Sequence, residues 1–268
     1  MTAAILPALP TGLLAGRRGV VLGVSSANSI GFHTAHTLRA LGADVALTCR
    51  PARLDRVASI ARELGAEVYP RAARDDASIL SPFAAHGANG RALDFVVHGF
   101  VDIPEGVLTR PMLDVSRGEL AHVMEVSAWS LIAACRHARP LLARSDAPRV
   151  VALTSACSHR MTPNYHVAGM AKAALESAVL YLAMQLGRDG ILVNAVGTSF
   201  LATDGALRAV GASNAAGTRA VQAKRSATGR AIEPAEVARC ISFLCSPLAQ
   251  SITGEVLTVD GGFSRAYL

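Results

Sequence analysis

A tyrosine and a lysine seven residues apart are the side chains of this sequence best suited to chemistry. Tyr165 and Lys172 lie in the run Asn164-Tyr-His-Val-Ala-Gly-Met-Ala-Lys172, in a chain of 268 residues that contains two lysines and four tyrosines. If the run is helical, seven residues are almost two turns, so the phenol and the ammonium project from one face. A nearby ammonium favours the ionised phenol and strengthens it as a donor to a developing oxyanion. The alternative is an aromatic residue on a buried helix with a lysine at its rim.

The elements that must position this pair follow from short apolar runs that alternate with longer helical patterns. They predict an α/β protein, a single-domain Rossmann fold over residues 1–268 with a doubly wound, seven-stranded parallel sheet and helices on both faces. The predicted strands are Gly19–Gly23, Asp44–Cys49, Glu67–Tyr69, Leu93–His98, Arg149–Thr154, Ile191–Ala195 and Glu255–Val259. The predicted helices are Gly31–Leu41, Ala52–Leu64, Ala77–Ala85, Arg117–Leu142, Pro163–Leu186, Gly205–Ala223 and Pro234–Cys245.

Two segments lie outside this regular alternation. Residues 1–13 are apolar but interrupted by prolines, and we expect them to form an N-terminal arm. Residues 200–230 form a long connection after a late strand and are rich in small residues. Because ligands bind at the carboxyl ends of the strands in such a sheet, we expect this connection to be a lid over the substrate.

Composition excludes several classes of function. The net charge of +6 is spread without a block of basic residues, and aromatic residues make up 4%, so we expect no nucleic-acid partner. The sequence has no run of 18 or more apolar residues, so we expect no membrane span. The five cysteines form no CxxC pair and no His/Cys metal spacing. They predict a cytoplasmic protein with free thiols and no metal site.

A glycine- and serine-containing loop follows the first predicted strand. It reads Gly23-Val-Ser-Ser-Ala-Asn-Ser-Ile-Gly31 and leads into the first predicted helix. Small residues let the backbone approach a pyrophosphate, and the helix N-terminus supplies N–H groups and a positive dipole. The spacing is not GxGxxG, so an ordinary βα turn is the alternative. The position of the loop in the first βαβ unit favours a nucleotide.

The end of the second predicted strand indicates which dinucleotide is bound. In a Rossmann fold an acidic residue there binds the 2′-hydroxyl of NAD, whereas an arginine accommodates the 2′-phosphate of NADP. The strand ends at Cys49 and is followed by Arg50-Pro-Ala-Arg53, without an acidic residue. Arg50 therefore predicts NADPH, with NADH as the alternative. The competing interpretation is that Arg50 and Arg53 are solvated charges at the start of a helix.

Together these residues resemble the short-chain dehydrogenase/reductase superfamily, and within it the enoyl-acyl-carrier-protein reductases of bacterial fatty-acid synthesis. The likeness spans roughly residues 14–263. Four stretches carry it: Leu14-Ala-Gly-Arg-Arg18 with the loop from Gly23, Phe95-Val-Val-His-Gly99, the run Pro163–Glu176, and Ile241–Ser246 with Ile252–Phe263.

The resemblance implies a reaction and a set of roles. The reaction is NADPH-dependent reduction of the C=C bond of an enoyl thioester, carried on acyl-carrier protein or coenzyme A, by a homotetramer. Tyr165 would hydrogen-bond the thioester carbonyl and stabilise the enolate formed when hydride reaches the β-carbon, and Lys172 would hold the nicotinamide ribose hydroxyls. The other cofactor contacts it implies are Gly23, Ser29 and Ile30 at the pyrophosphate, Gly99 beneath the cofactor, and Leu201 and Thr203 beside the nicotinamide.

The sequence departs from the family pattern where a second, outer tyrosine is usual, ten residues before the inner one. Ser155 occupies that position. Carbonyl-reducing members of the superfamily use a serine with the tyrosine and lysine, so Ser155, or Thr154 beside it, could serve a β-keto reductase. The other interpretation is a small residue that widens the pocket for a bulkier acyl chain. A non-catalytic homologue that binds nucleotide is the third hypothesis.

Two further departures lie at other strand ends. Ser199-Phe200 replaces the Gly-Pro of the family after the sixth strand, and Ala72 replaces an acidic residue after the third.

Three histidines fall near the inferred site: His98, His159 and His166. We expect them to be packed or hydrogen-bonded rather than to act as bases.

Overall fold

Seven parallel strands form one sheet in the structure, a computed structural model that describes residues 11–71, 74–88, 90–210 and 212–266. The strand order is β3-β2-β1-β4-β5-β6-β7, and every neighbouring pair is parallel. The strands are β1 (Arg18–Leu22), β2 (Asp44–Cys49), β3 (Val68–Pro70), β4 (Phe95–His98), β5 (Arg149–Ser155), β6 (Leu192–Thr198) and β7 (Val256–Val259). The predicted Rossmann-type sheet is confirmed.

The helices of the described residues follow the predicted order, but several of their boundaries differ. They are α1 (Ile30–Ala40), α2 (Leu54–Glu63), α3 (Asp76–Ala88), α4 (Arg117–Met124), α5 (Ser130–Leu142), α6 (His166–Leu186), α7 (Asp204–Val210), α8 (Ala212–Arg225) and α9 (Pro234–Leu244). The helix predicted over Arg117–Leu142 is interrupted by a π-helical turn, Glu125–Trp129. The segment Gly205–Ala223 forms two helices, and α6 begins three residues later than predicted.

Alternating side chains of the strands build a core on each face of the sheet. Val20 and Leu22 of β1 point into one core with α3, α5 and α6. Val21 points into the other core with α1, α2 and α9. Because both faces are covered, the strands read as continuous apolar runs, and polar ligands can approach only at the ends of the strands.

The strand order reverses between β1 and β4, and a crevice at this point is typical of dinucleotide-binding sheets. Gly23 follows β1 with a φ of +90°, a conformation that L side chains rarely adopt. A Cβ atom on Gly23 would lie 2.9 Å from the carbonyl carbon and oxygen of Gly99, which follows β4. The two turns therefore pack backbone against backbone, and a side chain at Gly23 would fill the cradle.

The longest helix of the described residues is apolar along most of its length. With the short turn after it, α6 is long and apolar enough to cross a membrane by length and composition alone, and 56% of an 18-residue window within it is buried inside the protein. The sequence analysis predicted this helix but counted only uninterrupted apolar residues, so it did not identify the helix as long and apolar enough to span a membrane. Its burial is that of a core helix, with Leu175 and Val179 packed under the sheet.

Candidate active site

Tyr165 is held by a turn rather than by the helix that follows it. Its backbone has a φ of −135° and ψ of 8°, and α6 begins at the next residue, His166. Asn164 before it has a φ of +56°, a left-handed conformation that asparagine tolerates better than most residues. The sequence predicted a helix that includes Tyr165, whereas Tyr165 is the residue directly before α6. Its carbonyl still accepts from the N–H of Gly169 at 2.6 Å, which fixes the turn on the first residues of the helix.

The acidity of Tyr165 also differs from the sequence expectation. Burial raises the pKa of the phenol to about 12, and a hydrogen bond with the Ser155 side chain acts in the opposite direction without reversing the shift. The sequence predicted that a nearby ammonium would favour ionisation. Lys172 is not among the groups that shift this pKa, and the loss of solvent dominates, so the phenol stays protonated at neutral pH.

Ser155 is the last residue of β5 and is buried. Besides its contact with Tyr165, its hydroxyl lies 3.4 Å from the carbonyl oxygen of Thr198 and accepts from the N–H of Cys157 at 3.1 Å. The structure therefore brings together two of the predicted catalytic side chains. Thr154, the alternative to Ser155, donates its hydroxyl to Glu176 at 2.6 Å. Because consecutive residues of a strand project to opposite faces of the sheet, its side chain and that of Ser155 lie on different faces.

Lys172 lies in the second turn of α6 and is buried. Its Nζ donates to the carbonyl oxygen of Leu153 in β5 at 2.9 Å. Burial lowers the pKa of the ammonium to about 8, and the charge of Glu176 opposes this shift. The lysine is thus poised to lose its proton only slightly above neutral pH.

Glu176 is a site residue that the sequence analysis did not single out. It is buried, and one carboxylate oxygen accepts from Thr154 while the other lies 2.7 Å from Nε2 of His159. Its position four residues after Lys172 was the available signal, because such pairs meet on one face of a helix. His159 is 72% exposed, and this bond accords with its predicted role as a hydrogen-bonded histidine.

The other two histidines are also engaged. His98, at the end of β4, is fully buried, and its Nε2 lies 2.8 Å from the hydroxyl of Ser130, which itself donates to the carbonyl oxygen of Val126. Burial holds the pKa of His98 well below its usual value, so the ring is neutral. His166 contacts the carbonyl oxygen of Arg110 at 3.1 Å and joins that segment to the start of α6.

The predicted pyrophosphate loop closes at the N-terminus of α1. Ser29 accepts from the N–H of Phe32 at 3.2 Å, so it caps the helix. Its own N–H and hydroxyl both donate to the carbonyl oxygen of Ser26, at 3.0 and 2.6 Å. The Ser29 side chain is therefore occupied within the turn, which leads from Gly23 after β1 to the start of α1 at Ile30.

The segment after β6 lies against this loop. Asn28 donates to the carbonyl oxygen of Ala202 at 2.9 Å. Leu201 is buried, and Thr203 caps α7 by accepting from the N–H of Ala206 at 3.3 Å. Asp204, the first residue of α7, pairs with Arg56 of α2 at 2.6 Å. The predicted lid thus begins in contact with the nucleotide loop.

Arg50 directly follows β2, as predicted, and it is already paired. Its Nη1 lies 2.5 Å from an Asp102 carboxylate oxygen, and the other oxygen lies 3.1 Å from Nε2 of His122. Asp102 is a second residue that the sequence analysis missed, because 52 residues separate it from its partner. Ala72, the departure after the third strand, lies outside the described residues.

The arrangement fits a dinucleotide. The backbone cradle between Gly23 and Gly99 has no room for a side chain, and a helix N-terminus, a buried ammonium and a protonated phenol surround the same strand ends. Across the described ranges, no three His, Cys, Asp or Glu side chains are grouped so that they could hold a metal ion.

A Rossmann-type sheet with a serine at the end of β5 and a tyrosine and lysine at the start of α6 defines the short-chain dehydrogenase/reductase class. A family model for enoyl-(acyl carrier protein) reductases matches residues 23–264. This chain belongs to that family. It is 34% identical over 258 residues to enoyl-[acyl-carrier-protein] reductase [NADH] 1 of Rhizobium meliloti, covering 94% of this chain and 92% of the relative. It is 35% identical to the NADH-named reductase of Neisseria meningitidis, covering 94% of this chain and 97% of that one.

Solved structures of the family have the same fold. The enoyl-acyl carrier protein reductase of Bacillus cereus, crystallised with NADP+ and an indole naphthyridinone, gives a TM-score of 0.90 at 30% identity, covering 96% of this chain and 100% of that one. The reductase of Anaplasma phagocytophilum, in complex with NAD, gives 0.88 at 28% identity and covers 97% of this chain and 96% of that one. The family prediction made from the sequence is confirmed.

The pKa of Lys172 can be measured directly, because the chain has two lysines, Lys172 and Lys224. We expect the side-chain NMR signal of Lys172 to titrate near pH 8 in the folded protein. The unfolded value is 10.5, so between about pH 8 and 10.5 the folded state binds fewer protons. In that window this group makes the free energy of unfolding rise with pH.

Lys172→Arg assigns the signal, and Lys224 provides the internal reference. Two lysine signals that both titrate above pH 10 would contradict the burial of the Lys172 ammonium.

Proposed function

We propose that this protein reduces the C=C bond of an enoyl thioester with NADPH. The observation that carries the proposal is the protonated phenol of Tyr165 at the carboxyl edge of the sheet, beside Ser155. Hydride addition to a conjugated thioester builds negative charge on the carbonyl oxygen, and a fixed O–H donor lowers that barrier. A phenol with a pKa of about 12 remains a donor throughout the neutral range.

The surroundings of Tyr165 suit an acyl chain. Its ring packs on a separate apolar cluster formed by the segment after β4, by α4 and by α6. The buried members of the cluster are Val107, Leu108, Val123, Val167, Ala168 and Ala171. An apolar wall beside the donor would accommodate the acyl chain and keep water from the developing enolate. The names of the relatives favour acyl-carrier protein as the carrier.

The proposed cofactor contacts follow the geometry of the strand ends. Gly23 and Gly99 would lie beneath the dinucleotide, with the N-terminus of α1 from Ser29 and Ile30 at the pyrophosphate. Lys172 would hold the nicotinamide ribose with the Nζ that now bonds Leu153. Leu201 and Thr203 would lie beside the nicotinamide.

A second function is favoured by one specific contact. The hydrogen bond between Ser155 and Tyr165 lowers the pKa of the phenol, as a serine would in a carbonyl reductase that protonates its substrate. Reduction of a β-keto thioester is therefore the alternative. A homologue without turnover is disfavoured by the presence of Ser155, Tyr165 and Lys172 together.

The two reactions separate in one assay. We expect the protein to consume NADPH with an enoyl thioester, and Tyr165→Phe to lower kcat/KM by about 100- to 1,000-fold while the Kd of NADPH changes by less than about threefold. Ser155→Ala is the matched control, and it should leave enoyl reduction within about tenfold. Oxidation of the reduced cofactor with the β-keto thioester alone would replace enoyl reduction by β-keto reduction as the proposed function. Binding of the cofactor without turnover of either thioester would support a non-catalytic homologue.

We propose NADPH rather than NADH because Arg50 stands at the end of β2 and no carboxylate follows the strand directly. Its side chain is 42% exposed and can reach a ligand. The relatives named above carry NADH in their names, whereas the Bacillus cereus structure contains NADP+, so the family includes proteins found with either cofactor. NADH is the alternative for this chain.

Replacement of Arg50 tests the choice of cofactor. We expect Arg50→Gln to weaken NADPH binding by about 10- to 100-fold and to change the Kd of NADH by less than about threefold, because only NADPH carries the 2′-phosphate. Fluorescence titration of both reduced cofactors measures this. Arg53→Gln serves as the control. Equal losses for NADPH and NADH would contradict recognition of the phosphate by Arg50.

The remaining proposals concern the assembly and the lid. Residues 200–230 would act as a substrate lid on a single domain of residues 1–268, which the contacts of Asn28 and Asp204 with neighbouring elements support. The five cysteines are unpaired in the structure, as suits a cytoplasmic enzyme. Residues 1–10 of the proposed N-terminal arm lie outside the described residues.

A homotetramer is supported by an apolar face on α6. Leu180 and Tyr181 lie one turn before Met184, and all three side chains are exposed, the last two by 63% and 65%. Ile132 of α5, a helix that contacts α6, is also exposed. Single apolar residues on a surface are common, whereas a helical stripe of large ones marks a protein interface.

Light scattering tests this face. We expect the wild-type protein to have the mass of four chains and Tyr181→Arg to lower the mass, because a buried unpaired guanidinium is unfavourable at an interface. Leu113→Arg, at a position that is 97% exposed and does not belong to α6, should leave the mass unchanged. A monomeric wild-type protein would exclude the assembly.

A further inference from the structure

We propose that Asp102 is a specificity-determining residue that sets cofactor choice by acting as the resident counter-ion of Arg50. Its carboxylate occupies the guanidinium that the 2′-phosphate of NADPH would otherwise bind. This inference rests on the proposed use of NADPH and goes beyond it, because it assigns discrimination to a residue on a different strand end.

The pair spans the place where a dinucleotide crosses the sheet. Arg50 directly follows β2, and Asp102 comes four residues after β4. In the sheet, β2 and β4 flank β1, whose end carries the Gly23 turn. The 2.5 Å contact between Nη1 of Arg50 and Oδ1 of Asp102 therefore joins the segments on either side of β1. It lies next to the end of β2, where a Rossmann fold recognises the adenosine ribose.

Asp102 is held in place from its other side. Its Oδ2 lies 3.1 Å from Nε2 of His122 on α4, and Nδ1 of the same ring lies 3.2 Å from Nη1 of Arg74. An arginine can only donate, so Nδ1 accepts and Nε2 carries the hydrogen that Asp102 accepts. Arg74 in turn pairs with Glu125. These side chains hold the Asp102 carboxylate in place. A ligand can therefore break the Arg50–Asp102 pair by binding Arg50 while Asp102 stays where it is.

Both members of the pair remain accessible. The Arg50 side chain is 42% exposed and that of Asp102 is 32% exposed, so neither charge is sealed from solvent. A phosphate carries more charge than a carboxylate and offers three acceptor oxygens. It can therefore displace Asp102 from Arg50, whereas the 2′-hydroxyl of NADH brings no charge that could do so.

Two consequences follow for NADPH. Its phosphate must compete with Asp102 for the guanidinium, and it must lie near a carboxylate of the same sign. Neutralising Asp102 removes both penalties, and it leaves the hydroxyl of NADH almost unaffected. Asp102 therefore reduces the preference for NADPH over NADH that Arg50 alone would give. The enzyme can then bind both cofactors.

The test uses two probes that differ only in the 2′-phosphate, adenosine 2′,5′-bisphosphate and 5′-AMP, measured by calorimetry on the full chain. We expect Asp102→Asn to tighten the bisphosphate by about tenfold and 5′-AMP by less than about twofold. Asp102→Glu keeps the charge and should retain the wild-type ratio. Asp189→Asn breaks the Arg139–Asp189 pair of 2.7 Å, which lies before β6 at the amino end of that strand, and should change neither probe.

Three outcomes overturn the inference: an unchanged ratio in Asp102→Asn, a weaker bisphosphate, or a loss of both probes that marks Asp102 as merely structural. In an Arg50→Gln background, Asp102→Asn should have no effect on the ratio, and a persisting tenfold gain would also contradict the proposal. If Arg50→Gln itself leaves the ratio unchanged, the assignment of NADPH fails instead. Enoyl turnover by the wild-type protein reports on the reaction independently of either result.

Discussion

The buried ammonium of Lys172 is the constraint on which the site depends. A charged group in the interior is tolerated only with partners, and here it has the Leu153 carbonyl at 2.9 Å and the carboxylate of Glu176 nearby. Both partners come from the elements that carry the other site residues, β5 and α6. The same interactions that keep the lysine charged thus tie the helix to the strand that presents Ser155.

Tyr165 depends on this arrangement in a different way. Burial raises its pKa, so the side chain acts as a neutral donor, and Asn164 in a left-handed turn sets where that donor points. A phenol inside the helix would have followed the rotation of α6. The turn instead places it against Ser155 and the apolar cluster, where a low dielectric strengthens a hydrogen bond to a developing oxyanion.

The order of the elements could be predicted from the sequence because burial on both faces leaves a periodic apolar signal in each strand. The Gly23 turn, Arg50 after β2 and Ser155 at the end of β5 could be located for the same reason. What could not be predicted depends on long-range packing. The start of α6 at His166 follows from the turn at Asn164, and the raised pKa of Tyr165 follows from burial. The partner of Arg50, Asp102, lies on a loop with no periodic pattern.

Two polar features of this chain lie at different strand ends. Ser155 ends β5, at the position where the resemblance leads us to expect a second tyrosine, and the Arg50–Asp102 pair joins the segments after β2 and β4. Between them the Gly23–Gly99 contact leaves no space for variation, because any Cβ there would collide with backbone. The centre of this sheet is fixed sterically, whereas its strand ends carry exposed or hydroxyl side chains. Specificity for the substrate and specificity for the cofactor can therefore change independently. Each change alters one strand end without disturbing the cores on either face.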